Sequence, residues 1–232
     1  MMWRLRMFGE RLLHFILQWP KQVLRLCLWT LWITPPRGRH SFFRWVGGII
    51  LLIVDLTPLS LLYETIMDVI KTRSRALSPD EINIAQSVFG ARMPLQLVSM
   101  DPASLPAIQG KAKAYVSFHT INFEKELPSQ TLIHELVHVW QYERYGSVYI
   151  SEALWAQRWG GGYDYGGLLP LNNYSEGKGL SAFNFEQQAD IIEDYYRWKT
   201  GLSLQWALNV PGIGEVLEKY RNELVYNRNT NK

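Results

Sequence analysis

The pentad His134-Glu135-Leu136-Val137-His138 brings together residue types that can hold a metal ion and activate a water beside it. At about 100° per residue, two histidines four positions apart fall about 40° apart on one helix face, so both can close on a single ion. Glu135 projects from the neighbouring edge, which suits a carboxylate that leaves the metal free and takes the proton of the attacking water. The flanks read as a helix: Ser129 is a cap, Leu132, Leu136, Val139 and Trp140 supply apolar faces, and Gly146 is a stop. The single cysteine, Cys27, excludes an internal disulfide and a thiolate cluster. A metal must therefore use the five histidines and carboxylates, a donor set that fits one zinc ion, with another divalent ion as the alternative.

A catalytic zinc takes three protein ligands and keeps one open position. The candidate third ligand is Glu186, because Glu186, Asp190 and Glu193 share a helix face beside an apolar stripe of Ala189, Ile192 and Tyr196. On that face Asp190 is free to orient a ligating histidine from behind. Glu152, Asp164 and Glu176 remain open as alternatives. Between the two helices, the glycine-rich stretch Trp159-Gly-Gly-Gly-Tyr163-Asp164-Tyr165-Gly-Gly can wrap over a cleft. There Tyr165, or alternatively Tyr163, is a candidate donor to a developing oxyanion.

HExxH followed by Glu-x-x-x-Asp on a later helix resembles the gluzincin zinc metallopeptidases over residues 78–197. The resemblance implies a zincin-like fold with an edge strand beside the active-site helix, Glu186 as third ligand and Asp190 as its supporting partner. The 47 residues between His138 and Glu186 exceed the spacing of the shortest members. A looser likeness is to bacterial domains associated with secretion and contractile injection machinery. It rests on the Ser-Pro-Asp-Glu helix within residues 77–90, HELVHVWQ at 134–141, Tyr-x-Tyr at 163–165 and Glu-Gln-Gln-Ala at 186–189.

The elements that must position these residues read as an α+β body over residues 76–232, preceded by a hydrophobic, helical, membrane-associated segment over residues 1–75. With 232 residues, 47% apolar and ten tryptophans, the chain can bury a full core and is not disordered. Its formal charge of +3 hides an asymmetry: residues 1–44 carry eight Lys/Arg against one acid, leaving the remainder net acidic. A basic segment this rich in Leu and Trp fits a membrane surface better than a nucleic acid. Residues 11–33, interrupted by Pro20, suit an interfacial helix pair that ends at Pro35, Pro36 and Gly38.

Residues 45–63, with Asp55 as their only charge, form the candidate transmembrane helix; Asp55 and Pro58 weaken the span and leave a membrane-embedded hairpin or a buried helix as alternatives. Its basic flank (Arg37, Arg39, Arg44) predicts a cytoplasmic N-terminus at a bacterial inner membrane if it spans. No compact signal-peptide pattern opens the chain, so the N-terminus is expected to be retained. The polar turn at residues 74–78 marks a domain boundary, and Ser78-Pro79-Asp80-Glu81 starts a helix ending at Gly90. Strands are expected at residues 95–100 and 114–123, with His119 on a strand face.

These features predict a zinc-dependent hydrolase acting on protein or peptide, with Glu135 as general base, and a membrane but no nucleic acid as partner. Oligomeric state has no signature in the sequence. Two further readings are a non-catalytic membrane-associated interaction protein with a structural metal site, and an amidase acting on cell-wall peptides.

Overall fold

The computed structural model describes residues 2–32, 39–102, 114–174 and 177–226; Ile33, Pro35, Pro36, Arg37, Gly38 and Glu176, invoked above, lie outside them. The protein is α+β, with a small mixed sheet and a majority of helix. It comprises two compact units, one formed by Met1–Leu77, Leu95–Glu126 and Val139–Glu152, the other by Ser78–Pro94, Leu127–His138 and Ala153–Lys232. Two later stretches return to the first unit, and residues 95–126 do so through strands that pair with one another and with residues 75–76.

The first unit contains α1 (Met2–Trp32), α2 (Arg39–Asp55), α3 (Leu59–Ile70) and the strands β1 (Arg75–Ala76), β2 (Ser99–Asp101), β3 (Ala114–Ser117) and β4 (Thr120–Phe123). The sheet order is β1-β2-β4-β3, with β2 and β4 parallel and the outer pairs antiparallel. Residues 11–32 do not form a helix pair. Pro20 lies inside one continuous helix of 31 residues, although an internal proline costs about 3 kcal/mol. Tertiary anchors offset that cost: buried Arg11 donates to Asp68 at 2.7 Å and to the Leu97 carbonyl at 3.1 and 3.2 Å.

The expected transmembrane helix over residues 45–63 is not a single helix. It breaks between Asp55 and Leu59, and the two arms, Trp45–Asp55 and Leu59–Ile70, meet at a bend of 74°. Among the described residues no single helix is long and apolar enough to cross a membrane, while this bent pair passes the test of length and composition together. Asp55, the charge that weakened the span, is a buried acceptor for the Ser147 backbone N–H at 2.7 Å and for its hydroxyl.

Two strand expectations change as well. Leu95–Leu97 is a 3₁₀ turn and the strand begins at Ser99. Residues 114–123 fold into the β3–β4 hairpin, in which Ser117 pairs with Thr120 around a two-residue loop. Phe118 takes a φ of 58° there, a conformation in which a bulky residue is strained. Ring contacts with Tyr63 and Tyr142 hold it, at centroid distances of 5.6 and 5.4 Å. No glycine or asparagine announces this turn, and His119 is a buried loop residue rather than a strand-face residue.

The second unit gathers α4 (Pro79–Phe89), the start of α5 (Ser129–Tyr145), the end of α6 (Val148–Trp159), α7 (Leu168–Tyr174), α8 (Phe185–Lys199) and α9 (Ile213–Tyr226). Its core includes Val88, Leu132, Ile133, Leu136, Leu171, Ile191, Ile192 and Tyr220, whose hydroxyl donates to the Leu171 carbonyl at 2.6 Å. The start of α4 is set as its sequence predicts. The Ser78 hydroxyl accepts the Glu81 N–H and the Glu81 carboxylate accepts the Ser78 N–H. Ser78→Ala should lower stability by about 1 kcal/mol, read as a lower midpoint in urea unfolding; an unchanged midpoint would deny the cap its role.

Candidate metal centre

Within the second unit, α5 buries Leu132, Ile133 and Leu136, and that packing fixes the rotation of the helix. His134, Glu135 and His138 are carried on the adjoining face, each less than a tenth exposed. Helix α8 supplies the acid. Asn184 caps it by accepting the Gln187 N–H at 2.9 Å, and the Gln187 carboxamide oxygen accepts the Asn184 N–H in return. This cap sets Glu186 in the first turn of the helix, where its charge also meets the positive end of the helix dipole.

The donors converge. Nε2 of His134 and Nε2 of His138 lie 3.2 Å apart, and Oε2 of Glu186 lies 3.4 Å from each. Ligands bound at about 2.0–2.1 Å to a tetrahedral ion sit roughly 3.3 Å from one another, so these three atoms outline one face of such a tetrahedron. Oε2 of Glu186 is buried and makes no hydrogen bond, while Oε1 accepts from the Gln157 carboxamide at 2.8 Å. A buried anionic oxygen without a donor is costly, and a cation bound at this face removes the cost. The three residues fit a metal ion.

Behind the imidazoles, Oδ1 of Asp190 is 2.8 Å from Nδ1 of His134, and Glu193 approaches the same nitrogen at 3.4 Å. Asp190 is therefore placed to hold the ring in the tautomer that turns Nε2 toward the ion. Asp190 is itself held by the Trp206 indole N–H at 2.5 Å, and Glu193 by Arg197 at 2.7 and 2.8 Å. Burial would push Glu186 up, but His138 and His134 outweigh it and hold the carboxyl well below its usual range. For Glu135, burial dominates over the two histidines and raises it. Its Oε2, too, is buried without a hydrogen-bond partner.

The glycine stretch has a positional role. Gly161 and Gly162 take φ of 94° and 69°, which side chains rarely adopt. The Asn184 amide donates to the carbonyls of Gly160 and Gly162 at 2.9 and 3.0 Å, so the residue that caps α8 also clasps the loop. The two candidate tyrosines then separate. Tyr165 is buried and donates its hydroxyl to Asp194 at 2.6 Å, which commits it to the scaffold. Tyr163, 39% exposed, keeps its ring 6.1 Å from that of His134, and burial beside Glu186 pushes its hydroxyl up to about 12. Of the other acids considered, Asp164 is exposed and bonds the Gly166 N–H, and Glu152 belongs to the first unit.

Sequence reasoning placed Glu193 on the acidic face but did not find Gln157 or Trp206. They reach the site from elsewhere in the fold, and no local pattern marks them.

No family model and no solved structure matches the chain. Over 137 residues it is 31% identical to the type VI secretion system spike protein VgrG2b of Pseudomonas aeruginosa, a match covering 53% of this chain and 13% of that protein.

Replacing Asp190 by Ala should weaken metal binding at the His134 centre about 10- to 100-fold. Competition against a chelator of known affinity reads this directly, and wild-type affinity in the variant would remove Asp190 from the site.

Proposed function

We propose that this chain is a zinc-dependent peptidase of the gluzincin type. The observation that carries the reading is the 3.2–3.4 Å triangle of His134, His138 and Glu186, whose carboxylate oxygen has no hydrogen-bond donor. Zinc bound there supplies a Lewis acid for the scissile carbonyl and a water acidic enough to attack at neutral pH. Everything else is the work of the chain. Glu135, next to His134 and with a carboxylate oxygen unengaged, takes the proton of the attacking water and delivers it to the leaving amine. Asp190 and Gln157 hold His134 and Glu186 in place. Tyr163 is the better placed of the two tyrosines to donate to the oxyanion, since Tyr165 is engaged by Asp194. The similarity to a type VI secretion system spike protein supports an association with secretion machinery.

The first unit supports contact with a membrane surface. Helix α1 exposes Leu5, Leu13, Ile16, Leu17 and Leu24 together with Arg6 and Lys21, and α3 exposes Leu59, Leu62, Ile66, Val69 and Ile70. So many large apolar side chains exceed the scattered exposure of an ordinary surface, and the cations suit anionic headgroups.

Glu135→Gln should abolish cleavage of an unfolded protein substrate while zinc content stays at the wild-type level, and Tyr163→Phe should lower kcat about 100-fold with KM little changed. Full activity in Glu135→Gln, measured as peptide release, ends the proposal. For the membrane, the full chain should float with vesicles containing phosphatidylserine, and Leu13→Asp/Leu17→Asp should stay at the bottom of the gradient without losing hydrolysis. Equal flotation of both proteins, or of neither, rules out this face.

A further inference from the structure

The first unit holds a second cluster built on the same donor set. His14 of α1, His119 of the β3–β4 loop and Glu143 of α5 offer ligand atoms that all lie within 4.8 Å of one another. Oε1 of Glu143 is 3.0 Å from Nε2 of His14 and 2.8 Å from Nε2 of His119. His119 is oriented from behind, as His134 is: its Nδ1 lies 3.3 Å from Glu64, which also accepts the His119 backbone N–H at 2.8 Å. A cavity of about 30 Å³ adjoins the three side chains, room for the water that a three-ligand site needs.

We infer that His14, His119 and Glu143 form a second site for a divalent metal of the zinc class, tying helix α1 to α5 and to the hairpin. The formal charges around the cavity agree. Among the residues that line it, Arg11 and Arg25 face Asp55, Glu64 and Glu143, a net acidic set. The Glu143–His14 and Glu143–His119 spacings each open by roughly 0.3–0.5 Å to reach tetrahedral ligand spacing. The histidine–carboxylate set selects zinc, copper or nickel over calcium or magnesium. This site is independent of the peptidase reading, since none of its residues belongs to the His134 centre.

The test is metal stoichiometry on the full chain, stripped with chelator, reloaded with zinc and freed of excess. Wild type should hold two equivalents, and His14→Ala, Glu143→Gln and Glu186→Ala one each. His14→Ala should keep its hydrolytic rate within about twofold. A single equivalent in wild type, or two in both His14→Ala and Glu143→Gln, overturns the site. Cobalt(II) added to Glu186→Ala probes the cluster without altering it: a visible absorption band that disappears on adding His14→Ala is expected, and a colourless protein overturns the inference.

Discussion

The second unit is organised by one electrostatic problem: two imidazoles and a carboxylate buried within 3.4 Å of one another, with Oε2 of Glu186 making no hydrogen bond. Burial of such groups without compensation costs several kcal/mol, and a cation at their centre reverses the sign. The surrounding contacts follow from holding this arrangement open. Gln157 takes the other oxygen of Glu186, Asp190 takes the far side of His134, Trp206 holds Asp190, and Arg197 neutralises Glu193. The Asn184 cap ties the same helix terminus to the glycine loop that carries Tyr163.

The first unit meets a related problem with many more charges. Arg11, Glu64, Asp68 and His119 are buried in contact with one another, and His119 also meets the half-buried Glu143. Burial would push His119 down, but the Glu64 and Glu143 carboxylates prevail and raise it to about 9, and the same pairing holds Glu143 below its usual range. Such a network is a poor source of stability compared with apolar packing. Helix α5 carries residues of both clusters, the HExxH pentad in its first half and Glu143 near its end. The apolar side chains exposed on α1 and α3 belong to the same unit, with the charges turned inward and leucine and isoleucine outward.

The sequence by itself determined the local chemistry. HExxH needs only helical spacing to put two histidines on one face, and the Ser78 cap follows from residue type and the acid three positions on. Glu186 and Asp190 could be paired with the motif because they share a helix face, a relation that is also local. What the tertiary structure decided is every feature that depends on residues distant in the chain. Pro20 stays inside a helix because Arg11 is anchored on Asp68 and Leu97. Residues 45–63 bend because Asp55 is bound by Ser147. Phe118 turns a hairpin without a turn residue because Tyr63 and Tyr142 hold its ring. Asp194 likewise takes the Tyr165 hydroxyl, and His14 met His119 and Glu143 only through folding. Short-range periodicity records which side chains share a face, whereas the partner that face meets is set by the free energy of long-range packing and charge compensation, to which no single stretch of sequence has access.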